Sequence, residues 1–261
     1  MEPYYYIIAM IGGAFAGVIN TLAGNGSAIT LTILTEVLGL PPNMANGTNR
    51  VGIWTQSVAG TYSFHANGKL PLKRSLKFII PTVIGAVIGV LVATSVSNDQ
   101  FRQVFRFLMV AMLVVILVKP KRWLKETNDQ AENSLFWVIP VYLALGFYGG
   151  FIQMGMGVFF LASMVLIAQF NIVEGNAVKV FVVAIYTVLV LAIFQWNGLI
   201  DWKIGGIMAI GQTTGGYLAA QYASKYEQAN VWVYRILVFV VIMAIIKLFD
   251  LHLLIFSLFG H

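Results

Sequence analysis

The chain has 261 residues, of which 59% are hydrophobic and only 10% are charged. Soluble domains carry about 25% charged residues, so this composition excludes an ordinary soluble protein and predicts an all-α, polytopic membrane protein. The lack of cysteine excludes disulfides, thiolate metal sites and thiol catalysis. The net charge of +6 comes mainly from two loops between apolar runs, so membrane topology explains it better than nucleic-acid binding does.

Ten apolar segments follow one another along the chain, five on each side of a polar stretch. We predict them at 4–23, 26–39, 45–66, 76–97, 101–118, 134–153, 157–170, 176–196, 204–223 and 230–257. The second segment of each set is shorter than the roughly 20 residues that a helix needs to cross a bilayer. The chain therefore divides into a first membrane repeat (1–118), a cytoplasmic connector (119–133) and a second membrane repeat (134–261).

Matching residues support a duplication. Asn67–Gly68 and Asn197–Gly198 are 130 positions apart, and so are Gly85 and Gly215. Closer to the short segments the offset is 133, and it aligns Gly13, Gly17 and Asn20 with Gly146, Gly150 and Gln153. Several ordered matches at nearly constant offset favour two homologous repeats of about five helical segments each.

Loop charge predicts the orientation of these repeats. The loop at 66–77 contains four basic residues and no acid, and the connector 119–133 is also basic. Both are therefore assigned to the cytoplasmic side, with the N-terminus outside. The matching loop of the second half balances Lys203 with Asp201, and this asymmetry favours inverted repeats in a multi-pass protein of the cytoplasmic (inner) membrane.

Each half also contains a helix that glycines interrupt. Gly24-Asn25-Gly26 breaks the first segment, and Gly155-Met156-Gly157 follows the sixth. Two Gly-interrupted segments at corresponding positions are the sequence pointer to a transporter's binding site. The amides that open each following half-helix carry partial positive charge and suit a small anion. The alternative is that the glycines only permit a tight turn while polar side chains bond across helices.

Eleven residues at the breaks and in the helices after the short segments are candidates for substrate binding. They are Asn20, Asn25, Gly26, Ser27, Thr48, Asn49, Arg50, Gln153, Gly157, Asn176 and Lys179. Arg50 and Lys179 stand out because a cation near a helix centre costs about 2.5–3.5 kcal/mol on insertion scales. Two interpretations stay open for them: attraction of an anion, or snorkelling to the membrane surface.

The two breaks, each followed by a short apolar run and a small-residue helix start, resemble the TauE/SafE family of sulfite exporters and toluene sulfonate uptake permeases. The helix starts are Ala45-Asn46-Gly47-Thr48 and Gly175-Asn176-Ala177-Val178. The resemblance covers nearly the whole chain and implies an exporter of small sulfur-containing or organic anions, such as sulfite, sulfonates or sulfoacetate. Two departures, Asn25-Gly26-Ser27 in place of a more glycine-rich run and Val178 in place of threonine, leave the substrate open.

Two other classes are weighed against an anion transporter working by alternating access. An intramembrane hydrolase would use Ser27 with His65 or His252 as its base, but neither histidine has an evident partner. A channel-like facilitator of cations would need carboxylates at the midplane, for which only Glu36 and Glu174 are available. These two acids are also the candidate proton carriers.

The expected partners are a small anion and the lipid bilayer, without nucleic acid. We expect no cofactor, no metal site and no catalytic residue. Proton or cation coupling and a homodimer stay open.

Overall fold

A computed structural model describes residues 3–22, 24–117 and 135–223, together with Ile242. The helices are α1 (Pro3–Leu22), α2 (Gly26–Thr32), α3 (Pro42–Ala66), α4 (Leu72–Ser95), α5 (Asn98–Leu117), α6 (Leu135–Phe151), α7 (Met156–Leu166), α8 (Ile172–Trp196) and α9 (Trp202–Ala223). A π-helical turn at Ile33–Val37 extends α2. The predicted all-helical class is confirmed for these residues. The connector 119–133 and, apart from Ile242, the segment 230–257 lie outside them.

Three of the described helices are long and apolar enough to cross a bilayer by composition: Tyr4–Leu22, Leu72–Ser95 and Ile172–Trp196. Helix α3 is equally long, with 25 residues, but much of its buried surface is polar. Asn46, Asn49, Arg50 and Gln56 are all buried on it. Lipid could not satisfy these groups, so other helices have to cover the polar face of α3.

Helices α3 and α8 end in the same way. Asn67 and Asn197 occupy the C-cap positions, and the following glycines adopt left-handed φ angles, 66° at Gly68 and 65° at Gly198. Glycine is the usual residue there because it lacks the Cβ that penalises positive φ. The Asn-Gly pairs noted in the sequence are therefore helix stops.

Glycines set the closest helix packing. A Cβ on Gly211 or Gly215 of α9 would overlap the backbone of α1 at Met10 or Ala14. Helices α4 and α6 pack in the same manner, through glycines on both partners: Gly85, Gly89, Gly146 and Gly150. Such contacts drive helix association in lipid, where the hydrophobic effect supplies little driving force for helices to associate.

We expect Gly215→Ala to destabilise the protein by about 1–3 kcal/mol, because the added methyl group has to push α1 and α9 apart. Gly206→Ala in the same helix is the matched control, since no atom lies within 4 Å of the added Cβ. The control should leave the free energy of unfolding unchanged or raise it by up to about 1 kcal/mol, because alanine has a higher helix propensity than glycine. Thermal unfolding in detergent measures both, and equal melting temperatures would contradict the packing role.

Candidate functional site

The two helix interruptions lie against each other. Helix α1 ends at Leu22, Gly24 has a φ of 80°, and α2 begins at Gly26. The backbone of Gly24 contacts the backbone of Gly157 in the first turn of α7, and a Cβ on either glycine would overlap the other. The absence of side chains at these two positions is what allows the breaks to meet.

The second break falls slightly earlier than the sequence indicates. Helix α6 ends at Phe151, α7 already begins at Met156, and Gly155 has a φ of 72°. Gln153, which we assigned to the helix before the break, lies within it and has a φ of 65°. This conformation is uncommon for a residue other than glycine. It persists where the surroundings hold the residue.

Gln153 is held through its side chain. Its Oε1 accepts hydrogen bonds from the Tyr186 hydroxyl at 2.5 Å and from Arg50 Nη1 at 2.9 Å. Both donors are completely buried. Gln153 therefore connects the second break to α3 and α8.

Lys179 of α8 caps the broken end of α1. Its ammonium group donates to the carbonyl oxygens of Asn20 at 3.1 Å and Thr21 at 3.0 Å, and to Oδ1 of Asn176 at 2.7 Å. The carbonyls of a last helical turn have no partner within the helix and form its negative end. All three N–H donors of the lysine are used. With 2% exposure, Lys179 does not snorkel, and that interpretation is wrong.

Arg50 of α3 caps the broken end of α6 in the same way. It donates through Nη1 to the carbonyl of Gly149 at 2.6 Å and through Nη2 to the carbonyl of Gly150 at 3.0 Å. Nη2 also reaches Oδ1 of Asn46 at 3.2 Å. The side chain is 0% exposed, so the snorkelling interpretation is wrong here too. Of the three guanidinium nitrogens of Arg50, only Nε has no partner among the described residues.

The side chains of the first break are buried but largely unpaired. Asn25 occupies the N-cap position of α2, yet neither atom of its amide group has a partner among the described residues. The hydroxyl of Ser27 is also unpaired. Asn20 caps α2 instead, accepting a hydrogen bond from the Ser27 amide at 3.2 Å. A buried polar group without a partner costs about 1–3 kcal/mol, so such a cluster points to an interaction with a ligand or water.

Two neighbours on α3 have different surroundings. Oδ1 of Asn49 accepts from the Thr30 hydroxyl at 2.6 Å and from Gln212 Nε2 at 3.4 Å, whereas its Nδ2 is unpaired. The hydroxyl of Thr48 accepts from the amide of Asp201 at 2.9 Å, immediately before α9. Asn49 therefore joins the polar cluster, and Thr48 supports the turn between α8 and α9.

The remaining candidates are placed as follows. Gly26 packs against the carbonyl of Ala16. His65 is exposed at the end of α3, away from the buried Ser27, and His252 lies outside the described residues. Glu36 and Glu174 are half-buried at helix ends. In the described part of the chain, Arg50 and Lys179 are thus the buried charged residues, and no carboxylate is buried with them.

Comparison with known proteins identifies relatives. The family model of the sulfite exporter TauE/SafE matches residues 9–248. A probable membrane transporter protein, ORF9, of Sinorhizobium sp. is 30% identical over 220 residues, covering 84% of this chain and 82% of that protein. A probable membrane transporter protein of Haemophilus influenzae is 28% identical over 209 residues, covering 80% and 81%. No solved structure matches.

We expect Lys179→Met to lower the free energy of unfolding by about 3 kcal/mol, because two carbonyls and Asn176 lose their donor in a buried site. Lys73→Met, at an exposed position, should change it by less than about 0.5 kcal/mol. Denaturation in detergent micelles compares the two variants. A Lys179→Met protein as stable as the control would contradict the capping role.

Proposed function

Given that the chain belongs to the sulfite exporter TauE/SafE family and is a membrane transporter, we propose that it exports small anions. The proposed substrates are sulfite, sulfonates and sulfoacetate, which the protein moves across the cytoplasmic membrane by alternating access. The proposed site lies where the two helix breaks meet. Two features of the described residues support this site: their buried positive charge and their buried polar groups without a partner.

The observation that carries the anion assignment is the pair of buried cations without a buried carboxylate in the described residues. The carbonyl end of each capped helix contributes about half a negative charge. One such end therefore balances only part of the charge of Arg50 or Lys179. The remaining positive potential favours an anion in the interior and opposes a cation.

The direct contacts in this proposal are neutral groups. Lys179 has no N–H to spare, and Arg50 has only its Nε. Asn25 and Ser27 at the first break, and the Nδ2 of Asn49 beside it, are unpaired, and they are the proposed ligand contacts. In this arrangement the cations supply the potential and the neutral groups supply the hydrogen bonds.

The bonds of the two caps support the proposed repeats. Arg50 and Lys179 are 129 positions apart, and the asparagines that accept from them, Asn46 and Asn176, are 130 apart. The first capped carbonyls, those of Asn20 and Gly149, are also 129 apart. This equivalence favours an offset of 129 at the breaks over the offset of 133.

Helix direction supports their inversion. Gly47, early in α3, lies against Phe194, late in α8, while Gly60, late in α3, faces Val180, early in α8. The two helices are therefore antiparallel. Equivalent helices that run in opposite directions are expected when repeats are related by an axis in the membrane plane.

In proteoliposomes we expect saturable flux of sulfite or a sulfonate. Asn25→Ala and Ser27→Ala should each lower the ratio of maximal rate to KM by roughly 10- to 100-fold, because one hydrogen bond to a charged ligand contributes about 1.5–3 kcal/mol. Thr214→Val serves as control, since its exposed hydroxyl bonds only to its own helix. Flux that is unchanged in both alanine variants would refute the site, and wild-type protein without anion flux would refute the function.

A further inference from the structure

Unpaired polar groups continue beyond the first break. Oxygen atoms of Thr21, Gln56 and Gln212 are buried and have no partner among the described residues. These side chains are 0%, 4% and 0% exposed. None of the interactions described above uses these three oxygens, which are the Thr21 hydroxyl and the two amide oxygens.

The three residues form one cluster between α1, α3 and α9. A Cβ on Gly216 would lie 3.2 Å from the Thr21 hydroxyl and 3.1 Å from Gln56 Cβ. The amide of Gln212 packs on Gly52, one turn before Gln56. Gln212 also donates to Asn49, which links the cluster to the first break.

The residues at the equivalent positions of the other repeat are paired for both glutamines. Tyr186 stands 130 positions after Gln56, and its hydroxyl donates to Gln153. Thr82 stands 130 positions before Gln212, and its hydroxyl donates to the carbonyl of Phe78 at 2.7 Å. The same scaffold position can therefore satisfy its polar group internally. Since native proteins rarely leave buried polar atoms without partners, the unpaired oxygens of Gln56 and Gln212 point to a ligand.

We propose that Thr21, Gln56 and Gln212 are specificity-determining contacts for the uncharged part of the transported anion. This subsite rests on the proposed function, in which the anionic group lies at the first break. Amide oxygens accept hydrogen bonds, so among the proposed anions the subsite favours sulfonates that carry a donor, such as a hydroxyl group, in addition to the anionic group.

Two sulfonates that differ by one hydroxyl group test the subsite: 2-hydroxyethanesulfonate and ethanesulfonate. Titration calorimetry on purified protein should show about tenfold tighter binding of the hydroxylated probe, because a site built for a hydroxyl discriminates against the analogue that lacks it. Gln56→Leu, Gln212→Leu and Thr21→Val should bring the ratio close to one and leave ethanesulfonate binding nearly unchanged. Without ligand, the melting temperatures of Gln56→Leu and Thr21→Val should stay level or rise, since an unpaired buried polar group is removed.

Thr82→Val is the matched control, because it removes a paired hydroxyl at the position equivalent to Gln212. It should keep the tenfold ratio. A wild-type ratio near one, an unchanged ratio in the three variants, or a marked drop in the melting temperature of Gln56→Leu or Thr21→Val would overturn the subsite. Wild-type protein that binds neither sulfonate nor sulfite would refute the proposed function itself.

A separate observation concerns the units that move. The helices pack into two groups. Bundle A consists of α1, α2, α3 and α9, and bundle B consists of α4, α6, α7 and α8. Each bundle contains three helices of one proposed repeat and one helix of the other. The backbone contacts of α1 with α9 and of α4 with α6 lie within the bundles.

Fewer glycine contacts join the two bundles to each other. The contacts between the bundles are the α3–α8 packing, the contact of Gly24 with Gly157, the hydrogen bond from Asn46 to the carbonyl of Phe151, and the two cation caps. Movement of one repeat against the other would separate every glycine contact between α1 and α9 and between α4 and α6. We infer that bundle A moves against bundle B instead.

The chain contains no cysteine, so disulfide pairs can test this directly. The pair Gly60→Cys/Val180→Cys joins α3 to α8 across the bundles, with Cβ atoms 3.9 Å apart, which matches disulfide geometry. The pair Val51→Cys/Gly205→Cys joins α3 to α9 within bundle A, with Cβ atoms 3.3 Å apart. The second pair connects the two repeats but not the two bundles.

We expect oxidation to stop sulfite flux in the Gly60/Val180 pair and to leave it in the Val51/Gly205 pair. A reducing agent should restore flux in the first pair, and the single-cysteine variants control for the substitutions. The fraction of free thiols reports whether each disulfide has formed. Lost flux in the oxidised Val51/Gly205 pair, or full flux in the oxidised Gly60/Val180 pair, would overturn the inference.

Discussion

A helix interrupted inside a membrane exposes carbonyl groups that lipid cannot satisfy, and here a buried cation satisfies them. Lys179 caps α1 and Arg50 caps α6. Each cation comes from the half of the chain opposite to the helix that it caps, so neither half could bury its own break alone. The central position of α3 and α8 follows from this requirement, because these two helices have to reach both breaks. The contact of Gly24 with Gly157 follows as well.

The same arrangement separates charge from ligand contact. A cation whose donors are committed to carbonyls keeps its long-range potential but offers few hydrogen bonds to a passenger. A direct ion pair in a buried site would bind an anion tightly and slow its release, whereas conduction and transport need binding that is also readily reversed. The neutral contacts proposed at Asn25 and Ser27 meet that need, since a hydrogen bond from a neutral group is weaker than one from a cation.

Much of this fold is readable in the sequence, and the reasons are local. Glycines, Asn-Gly stops and the lengths of apolar runs place the segments, and the cost of a buried cation singles out Arg50 and Lys179. Their partners are not readable, because they are main-chain carbonyls 99 to 159 positions away that no side-chain motif marks. Gln153 is a candidate from the sequence, but its left-handed backbone is not readable there, because partners on other helices impose it while sequence rules expect glycine.

The two caps share a plan but use different side chains, and the difference has a physical reason. Lys179 has three acceptors, which an ammonium group serves completely. Arg50 has four, because it also holds Gln153 in the second break, and only the wider guanidinium fork can reach all of them. The second break is therefore fixed by its cap, whereas the first keeps the free amide of Asn25. Of the two ends that the proposed repeats relate, the first thus holds the unpaired amide of Asn25, which is the asymmetry that the proposed single site requires.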